Sequence, residues 1–183
     1  MFYSSWVVSV FVYGVSIFFT GFVFSAFENG FFKSKAYLKH KAPWSPPNWL
    51  FGIAWTILYC LLSVSFVLIM EDHIVDADNR NQMIILFLVQ LLFNFLWTPV
   101  FCSDPLQGLL TICLCISSLI FMCILGFNQR TNSYVFIATC LLSPYLLWIL
   151  YAFTLNLYFV WSKYILTPLK DRSNNKLKPV MQL

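Results

Sequence analysis

The sequence predicts an all-α protein, an integral membrane bundle of five transmembrane helices. Of its 183 residues, 60% are apolar and only 10% are charged. A soluble domain carries about 25% charged residues, so this chain lacks the charge to cover a globular surface, and it is too apolar to be disordered. The apolar residues collect in five runs, each long enough to provide the roughly 20 residues that cross a bilayer. These runs cover residues 6–27, 48–70, 82–102, 107–127 and 134–161.

The first run is expected to be retained as a span. It holds 22 residues without a charge, and no lysine or arginine precedes it. A cleaved secretory signal has a basic start and a shorter apolar segment. The fifth run is longer than a span requires, so we expect it to tilt or to emerge from the bilayer. The chain then divides into a five-helix membrane domain, residues 1–164, and a basic tail, residues 165–183.

Lysine and arginine are distributed unevenly between the connections. With five spans, the 28–47 loop, the 103–106 turn and the tail share one side. That side holds Lys33, Lys35, Lys39, Lys41, Lys163, Lys170, Arg172, Lys176 and Lys178, and the other side holds Arg80 and Arg130. Basic loops stay in the cytosol, which predicts a cytosolic C-terminus and an N-terminus outside. The net charge of +4 then mostly reflects the orientation of the chain in the membrane. It would attract anionic lipid headgroups weakly, and it does not indicate a nucleic-acid partner.

The five runs contain no Asp, Glu, Lys, Arg or His. Proton-coupled transporters, pumps and voltage sensors carry ionisable groups at depth, so the sequence disfavours ion transport. It also lacks the motifs of hydrolases, P-loop proteins and dinucleotide-binding proteins. The six cysteines lie in or beside the apolar runs and are interpreted as small buried hydrophobic residues. Neither a metal site nor a cofactor is expected.

Amide and aromatic side chains instead follow helical spacing in three of the runs. The three faces are Gly52, Trp55, Tyr59 and Ser63; Gln90, Asn94, Trp97 and Phe101; and Tyr145, Trp148, Ala152 and Asn156. An unsatisfied amide is costly in lipid, so these faces should point into the bundle. Two interpretations stay open for the amides: they join helices by hydrogen bonds, or they line a pocket.

Six of the seven tryptophans fall into two groups. Trp6, Trp44, Trp49 and Trp161 stand at the ends of runs, where indoles form an interfacial belt. Trp55, however, lies about seven residues, or roughly 10 Å, inside its run. Trp148 lies near the middle of its own run, so a belt does not explain these two. They suggest an aromatic-walled pocket suited to a flat apolar ligand with a few polar groups at its rim.

Three stretches stand out: residues 41–59 (KAPWSPPNWLFGIAWTILY), 90–101 (QLLFNFLWTPVF) and 143–156 (SPYLLWILYAFTLN). Together they resemble the signature of the translocator protein family, the TspO/MBR or tryptophan-rich sensory proteins. The resemblance covers nearly the whole chain except the far N-terminus, the 71–81 loop and the tail. It implies a bundle of five helices, commonly a homodimer, in the mitochondrial outer membrane of eukaryotes or in a bacterial cell membrane.

The resemblance also implies a ligand cavity between the helices, capped by the first loop. The family binds porphyrins such as protoporphyrin IX, cholesterol in animal members, and synthetic isoquinoline-carboxamide and benzodiazepine ligands. Trp55 and Trp148 match tryptophans tied to light-dependent porphyrin breakdown in bacterial relatives. The expected ligand contacts are Trp44, Pro47, Trp49, Phe51, Trp55, Tyr59, Asn94, Trp97, Tyr145, Trp148, Ala152, Leu155 and Asn156.

The chain departs from the family pattern at four places. Phe51 and Phe95 stand where the family often has leucine and tryptophan, and Thr98 precedes Pro99 where the family usually has two prolines. A fourth-span tryptophan of animal members corresponds to Leu109, a difference that bears on the synthetic ligands.

A loose sterol pattern, L/V…Y…K/R, is met by Leu155, Tyr158 and Lys163. Any helix end with an aromatic belt and a snorkelling lysine also matches it, so ordinary interfacial anchoring is the alternative.

The sequence leaves three candidate functions. The first is a membrane receptor or carrier for porphyrin or sterol, and the second is an enzyme that photo-oxidises protoporphyrin through Trp55 and Trp148. No general acid, base or metal ligand accompanies these tryptophans, which favours binding. The third, a scaffold for partner proteins, is favoured only by the basic tail.

Overall fold

The computed structural model of the chain describes residues 2–129 and 133–169, and these are helical with short connections and no strand. The all-α prediction is confirmed. The helices are α1 (Phe2–Phe27), α2 (Lys35–His40), α3 (Asn48–Met70), α4 (Ala77–Ser103), α5 (Pro105–Phe127) and α6 (Tyr134–Trp161). Single π-helical turns, Glu28–Phe32 and Ser162–Leu166, extend α1 and α6. Most of the predicted tail, residues 170–183, lies outside the described residues, as does Arg130.

All five predicted spans are present, and α1, α3, α4, α5 and α6 are long and apolar enough to cross a membrane. The bounds of α3 and α6 agree with the predicted runs. Helix α4 starts five residues before its apolar run, because the Asp76 side chain caps it by accepting hydrogen bonds from the backbone N–H groups of Asp78 and Asn79. Helix α5 starts two residues before its run, after the Asp104 cap, and the π-helical turn Ser162–Leu166 continues the chain past the end of α6.

The five long helices close into a ring in the order α1, α3, α6, α5, α4, with α1 and α4 also in contact. One end of the bundle carries the first loop, the α4–α5 turn and the chain after Trp161; this is the loop end. The other end carries the α3–α4 and α5–α6 connections and is the far end. Large apolar side chains cover the outside of α1, where Phe11, Phe18 and Phe22 are 69%, 76% and 66% exposed. Such an apolar exterior is what lipid contact requires.

A buried carboxylate organises the far end. Asp72 is fully buried between α3 and α4, and its Oδ1 accepts hydrogen bonds from the backbone N–H groups of Ile74 and Val75 at 2.8 and 2.9 Å. Its Oδ2 accepts the N–H of Val135 in the first turn of α6 at 2.7 Å. Arg80 donates to the Asp72 backbone carbonyl at 2.7 Å. A single side chain therefore ties the α3–α4 connection to the start of α6.

Helix α5 approaches both neighbours through glycine. A Cβ atom on Gly108 would lie 2.6 Å from the Cα of Phe101, and one on Gly126 would lie 2.9 Å from the Cβ of Thr139 in α6. Both distances are shorter than real Cβ contacts, so these two positions set the spacing of α4, α5 and α6.

The cysteines are free thiols, but the expectation that they are buried is wrong for two of them. Cys60 and Cys140 are exposed on the outside of the bundle, whereas Cys115 and Cys123 are buried and Cys102 and Cys113 are half-buried. A cysteine in an apolar run can face lipid as well as the core, because both surroundings are apolar.

Candidate functional site

The loop-end half of the bundle contains a cavity of about 320 Å³. Helices α1, α3, α4 and α6 form its walls, and the first loop covers its mouth with Tyr37, Lys41, Ala42 and Ser45. Helix α5 contributes no lining residue. The volume lies at the lower end of the range for small-molecule sites, about 300–1,000 Å³.

Most of the predicted contact residues come together around this cavity. Those that line it are Trp49, Phe51, Trp55, Tyr59, Asn94, Trp97, Ala152, Leu155 and Asn156. Trp44, Pro47, Tyr145 and Trp148 do not line it. Gly52, the first member of the α3 face, also lines the cavity and is exposed rather than packed in the core.

Trp44 lies against α6, outside the lining of the cavity. Its backbone carbonyl accepts a hydrogen bond from the Tyr151 hydroxyl at 2.9 Å, and its indole N–H donates to Thr154 Oγ1 at 3.4 Å. Its ring packs edge-on against Tyr158 at 5.0 Å. Trp44 therefore fastens the first loop to α6 and leaves its indole half exposed, instead of reaching into the cavity.

Tyr145 and Trp148 stand behind the cavity wall. Their ring centroids lie 6.2 and 6.4 Å from that of Trp55, and Trp148 also meets Phe51 edge-on at 5.7 Å. Of the two tryptophans for which the resemblance implies a photochemical role, only Trp55 borders the cavity. Trp148 supports that wall from the α6 side.

The floor of the cavity is a polar junction of three helices. The hydroxyl of Tyr59, a residue that is 1% exposed, accepts a hydrogen bond from Asn94 Nδ2 at 2.7 Å and is hydrogen-bonded to Thr20 Oγ1 at 2.7 Å. The Trp55 ring stacks on Tyr59 at 5.2 Å with an interplanar angle of 22°. Asn94 thus joins α4 to α3, as the helix-joining interpretation expects.

Asn156 behaves differently from Asn94. It is 1% exposed, it lines the cavity, and neither its amide nitrogen nor its amide oxygen has a hydrogen-bond partner among the described residues. The side-chain amide of Gln90 is also buried and has no partner in the part of the chain that the structure describes, but Gln90 does not border the cavity. Buried polar groups are nearly always paired, so an unpaired amide in a cavity wall marks a place where a ligand can supply the partner.

The sterol-pattern residues do not share one surface. Leu155 lines the cavity, whereas Tyr158 packs on Trp44 and Trp161, and Lys163 is exposed with its Nζ over the Tyr164 ring at 5.0 Å. The contacts of Tyr158 and Lys163 are those of an interfacial aromatic cluster.

Most of the lining residues that the sequence did not predict come from α1 and the first loop, and Thr56 of α3 and Phe159 of α6 were not predicted either. Ile17, Phe19, Thr20 and Val23 line the cavity, and Thr20 offers the only hydrogen-bonding side chain among them. Helix α1 is apolar on every side, so no helical stripe marks its inner face. Across the described residues, no group of three His, Cys, Asp or Glu side chains is placed to hold a metal ion.

A second fastening of the first loop involves a histidine. His40 is buried, its Nδ1 lies 3.0 Å from Ser162 Oγ, and its ring meets Phe159, which lines the cavity, at 5.9 Å. Burial, followed by the nearby charges of Lys39 and Lys163, lowers the pKa of His40 below its ordinary value of 6.5. The neutral ring is therefore the form that belongs to the docked loop.

We expect this contact to weaken in acid. Because the folded-state pKa is the lower one, docking is complete above pH of about 6.5 and is lost as the pH falls through the folded value. Hydrogen exchange of residues 35–45, corrected for the intrinsic pH effect, should therefore increase at pH 5 relative to pH 7.5. His40→Gln should remove this pH dependence, and the exposed far-end His73→Gln should retain it. An unchanged pH dependence in His40→Gln would contradict the assignment.

A model of the TspO/MBR family matches residues 5–162, which include every wall of the cavity. The chain belongs to the TspO/MBR family. The resemblance drawn from the three sequence stretches is thereby confirmed. Together with its five long apolar helices, TspO/MBR membership makes this chain an integral membrane protein.

Its similarity extends to bacterial, archaeal and animal members. It is 36% identical to the tryptophan-rich protein TspO of Archaeoglobus fulgidus over 114 residues, covering 61% of this chain and 69% of the relative. It is 32% identical to protein CrtK of Rhodobacter capsulatus over 127 residues, with 66% and 72% covered. With the human translocator protein it shares 29% identity over 122 residues, with 66% and 69% covered.

Three of the departures from the TspO/MBR pattern fall on the cavity wall. Phe51, Phe95 and Thr98 line it, and the Phe95 ring packs against Phe19 of α1 at 4.8 Å. Leu109 is half-buried on α5 and does not border the cavity. The lining of this cavity therefore differs from the TspO/MBR pattern on α3 and α4, and the departure on α5 lies outside the lining.

Proposed function

We propose that this protein is a membrane receptor that binds a flat, mainly apolar ligand in its loop-end cavity. Porphyrins such as protoporphyrin IX are the first ligand class, with sterols as the second, and the role is in the transport or regulation of tetrapyrroles or lipids. The observation that carries the proposal is an aromatic-walled cavity of about 320 Å³ holding a buried amide without a partner. Flat apolar ligands gain most from such walls, and one amide fixes their orientation.

Aromatic rings face the cavity from four of the long helices. They include Phe19 of α1; Trp49, Phe51, Trp55 and Tyr59 of α3; Phe95, Trp97 and Phe101 of α4; and Phe159 of α6. Tyr59 and Trp55 are stacked nearly parallel, so they offer a rigid surface that needs no ordering when a ring system binds. These features support binding in preference to catalysis, because Trp148, the second tryptophan of the photochemical alternative, stands behind Trp55 and does not reach the cavity.

We propose that the loop end faces the cytosol, and that the protein forms a homodimer in a mitochondrial outer membrane or a bacterial cell membrane. Five lysines support the orientation at the loop end, namely Lys33, Lys35, Lys39, Lys41 and Lys163. Arg80 is the far-end cation among the described residues. A basic loop end on the cytosolic side agrees with the general distribution of charge in membrane proteins.

Titration of the purified protein with protoporphyrin IX tests the binding proposal through quenching of tryptophan fluorescence. We expect saturable quenching, and Trp55→Phe should weaken binding about threefold to tenfold because part of the wall contact is lost. Trp148→Phe should stay within about twofold of the wild type, as should the control Trp6→Phe on the outside of α1. Quenching that never saturates would refute the proposal.

Illumination of the same complexes separates binding from photochemistry. If the Soret band stays constant under light, the protein binds the porphyrin without degrading it, and only the receptor proposal stands. A band that decays under light and oxygen in the wild type but not in Trp55→Phe would establish the enzyme instead.

A further inference from the structure

The two segments that meet where the first loop docks on the end of α6 are both basic. Residues 33–47 carry four lysines and residues 162–169 carry one, and neither segment contains an acidic residue. Asp104, a carboxylate of the same end of the bundle, accepts the backbone N–H of Leu106 as the cap of α5. Docking therefore gathers positive charge that the two segments do not neutralise themselves.

Two of these lysines flank the contact that holds the loop. The hydrogen bond between His40 Nδ1 and Ser162 Oγ is 3.0 Å long; Lys39 precedes His40 in the chain, and Lys163 follows Ser162. Burial lowers the pKa of His40 first, and the charges of both lysines lower it further, which places the two ammonium groups near one ring. Among residues 2–129 and 133–169, neither exposed lysine forms an ion pair with a carboxylate. Their mutual repulsion opposes docking.

The outward face of α2 has the composition of a helix that lies at a membrane surface. Lys35, Leu38 and Lys39 follow i, i+3, i+4 spacing and share this face, and Leu38 is 57% exposed. Tyr37 packs inward instead, with its ring stacked on that of Phe159 at 5.6 Å. An exposed leucine between lysines suits the boundary between lipid headgroups and acyl chains.

An aromatic cluster places the docking contact at the level of the headgroups. Trp44 of the first loop packs against Tyr158 at 5.0 Å, and Tyr158 packs against Trp161 at 5.7 Å. Both indoles are about half exposed, as in an interfacial belt. Because Trp161 directly precedes Ser162, the hydrogen bond to His40 lies beside this belt. A lipid headgroup next to the bundle can therefore reach the contact.

We propose that the headgroup of an anionic phospholipid binds between Lys39 and Lys163 and holds the first loop in its docked position. The phosphate oxygens accept hydrogen bonds from both ammonium groups, so the repulsion is replaced by a bridge between α2 and the chain after α6. The exposed Leu38 contacts the acyl chains. A phosphatidylcholine headgroup carries its own ammonium group and has no net charge to offer. The site stands outside the cavity and does not depend on the ligand that the cavity binds.

Hydrogen exchange of residues 35–45 in the ligand-free, full-length protein measures how often the first loop opens. The protein is reconstituted at pH 7.5 in nanodiscs of phosphatidylcholine, alone or with about one third phosphatidylglycerol. A third sample, phosphatidylcholine with millimolar inorganic phosphate, separates a lipid headgroup from a free anion. Exchange of residues 72–79 at the far end corrects for the lower pH at a charged surface.

We expect phosphatidylglycerol to slow exchange in the wild type about fivefold to tenfold, the scale of two lysines attracted to anionic lipid. Inorganic phosphate should leave the rate unchanged. The double variant Lys39→Gln/Lys163→Gln loses the repulsion together with the site, so its loop should open less often than the wild type in phosphatidylcholine and ignore phosphatidylglycerol. Lys176→Gln/Lys178→Gln removes the same charge from the tail and should respond like the wild type.

Lys39→Glu provides the anion within the chain. Its carboxylate would face Lys163, so the loop should close in phosphatidylcholine alone and phosphatidylglycerol should add nothing. More frequent opening of Lys39→Glu than of the wild type in phosphatidylcholine would overturn the bridge. An equal response of the wild type and Lys39→Gln/Lys163→Gln to phosphatidylglycerol would replace the site by diffuse surface charge. Slowing by inorganic phosphate to the same extent would remove the lipid as the partner.

Discussion

Replacing Asp72 by alanine should lower the free energy of unfolding by about 3–5 kcal/mol. The carboxylate is fully buried and accepts three backbone N–H groups, from Ile74, Val75 and Val135. Alanine leaves all three donors without an acceptor and releases the start of α6 from the α3–α4 connection. Reversible unfolding in mixed micelles, with increasing SDS, measures the loss.

Two further variants separate the causes. Asp72→Asn keeps one acceptor oxygen for Ile74 and Val75 but turns an amide N–H₂ toward the Val135 N–H, so its loss should be intermediate. Asp78→Ala changes an exposed carboxylate in the first turn of α4 and should unfold like the wild type. Equal stability of Asp72→Ala and Asp78→Ala would refute the clamp.

Replacing Gly126 by alanine should cost about 2–3 kcal/mol of unfolding free energy, the usual range for overpacking in a tight core. The added methyl group would run into Thr139 of α6, whose Cβ would lie 2.9 Å and Cγ2 3.1 Å away. Helices α5 and α6 would have to separate to accept it. The same SDS titration measures the effect.

Gly14→Ala is the matched control for this prediction. Nothing lies within 4 Å of a Cβ at Gly14, so the substitution should be neutral or slightly stabilising through its helix propensity. Adding Thr139→Ala to Gly126→Ala removes the Oγ1 and Cγ2 atoms and should recover part of the loss. A Gly126→Ala protein as stable as Gly14→Ala would show that α5 and α6 are not packed this closely.

Hydropathy was sufficient to predict the five spans, because only apolar runs of that length can cross a bilayer. It placed the start of α4 too late, since the first turn of that helix is polar and depends on the Asp76 cap. The Asp72 clamp escaped sequence reading for a related reason. Its partners are backbone N–H groups, one of them 63 positions away, and no side-chain pattern records them.

The residues that line the cavity could be predicted on helices where polar and aromatic residues form one face and apolar, lipid-facing residues form the other. The stripes on α3 and α4 placed Trp55, Asn94 and Trp97 correctly on its wall. On α6 the predicted face included residues that do not reach the cavity. Ala152 and Asn156 line it, whereas Tyr145 and Trp148 lie farther from the loop end and pack behind Trp55. A helical period gives the face of a helix, but the depth at which a cavity ends depends on packing between helices.

The fastening of the first loop to α6 has a consequence for the order in which the site is built. The floor needs only Thr20, Tyr59 and Asn94, all of which are synthesised before α5. The roof depends on Trp44 with Thr154 and on His40 with Ser162, pairs that are 110 and 122 positions apart. In the growing chain the floor can therefore form first, and the roof can close only after the last helix has entered the membrane.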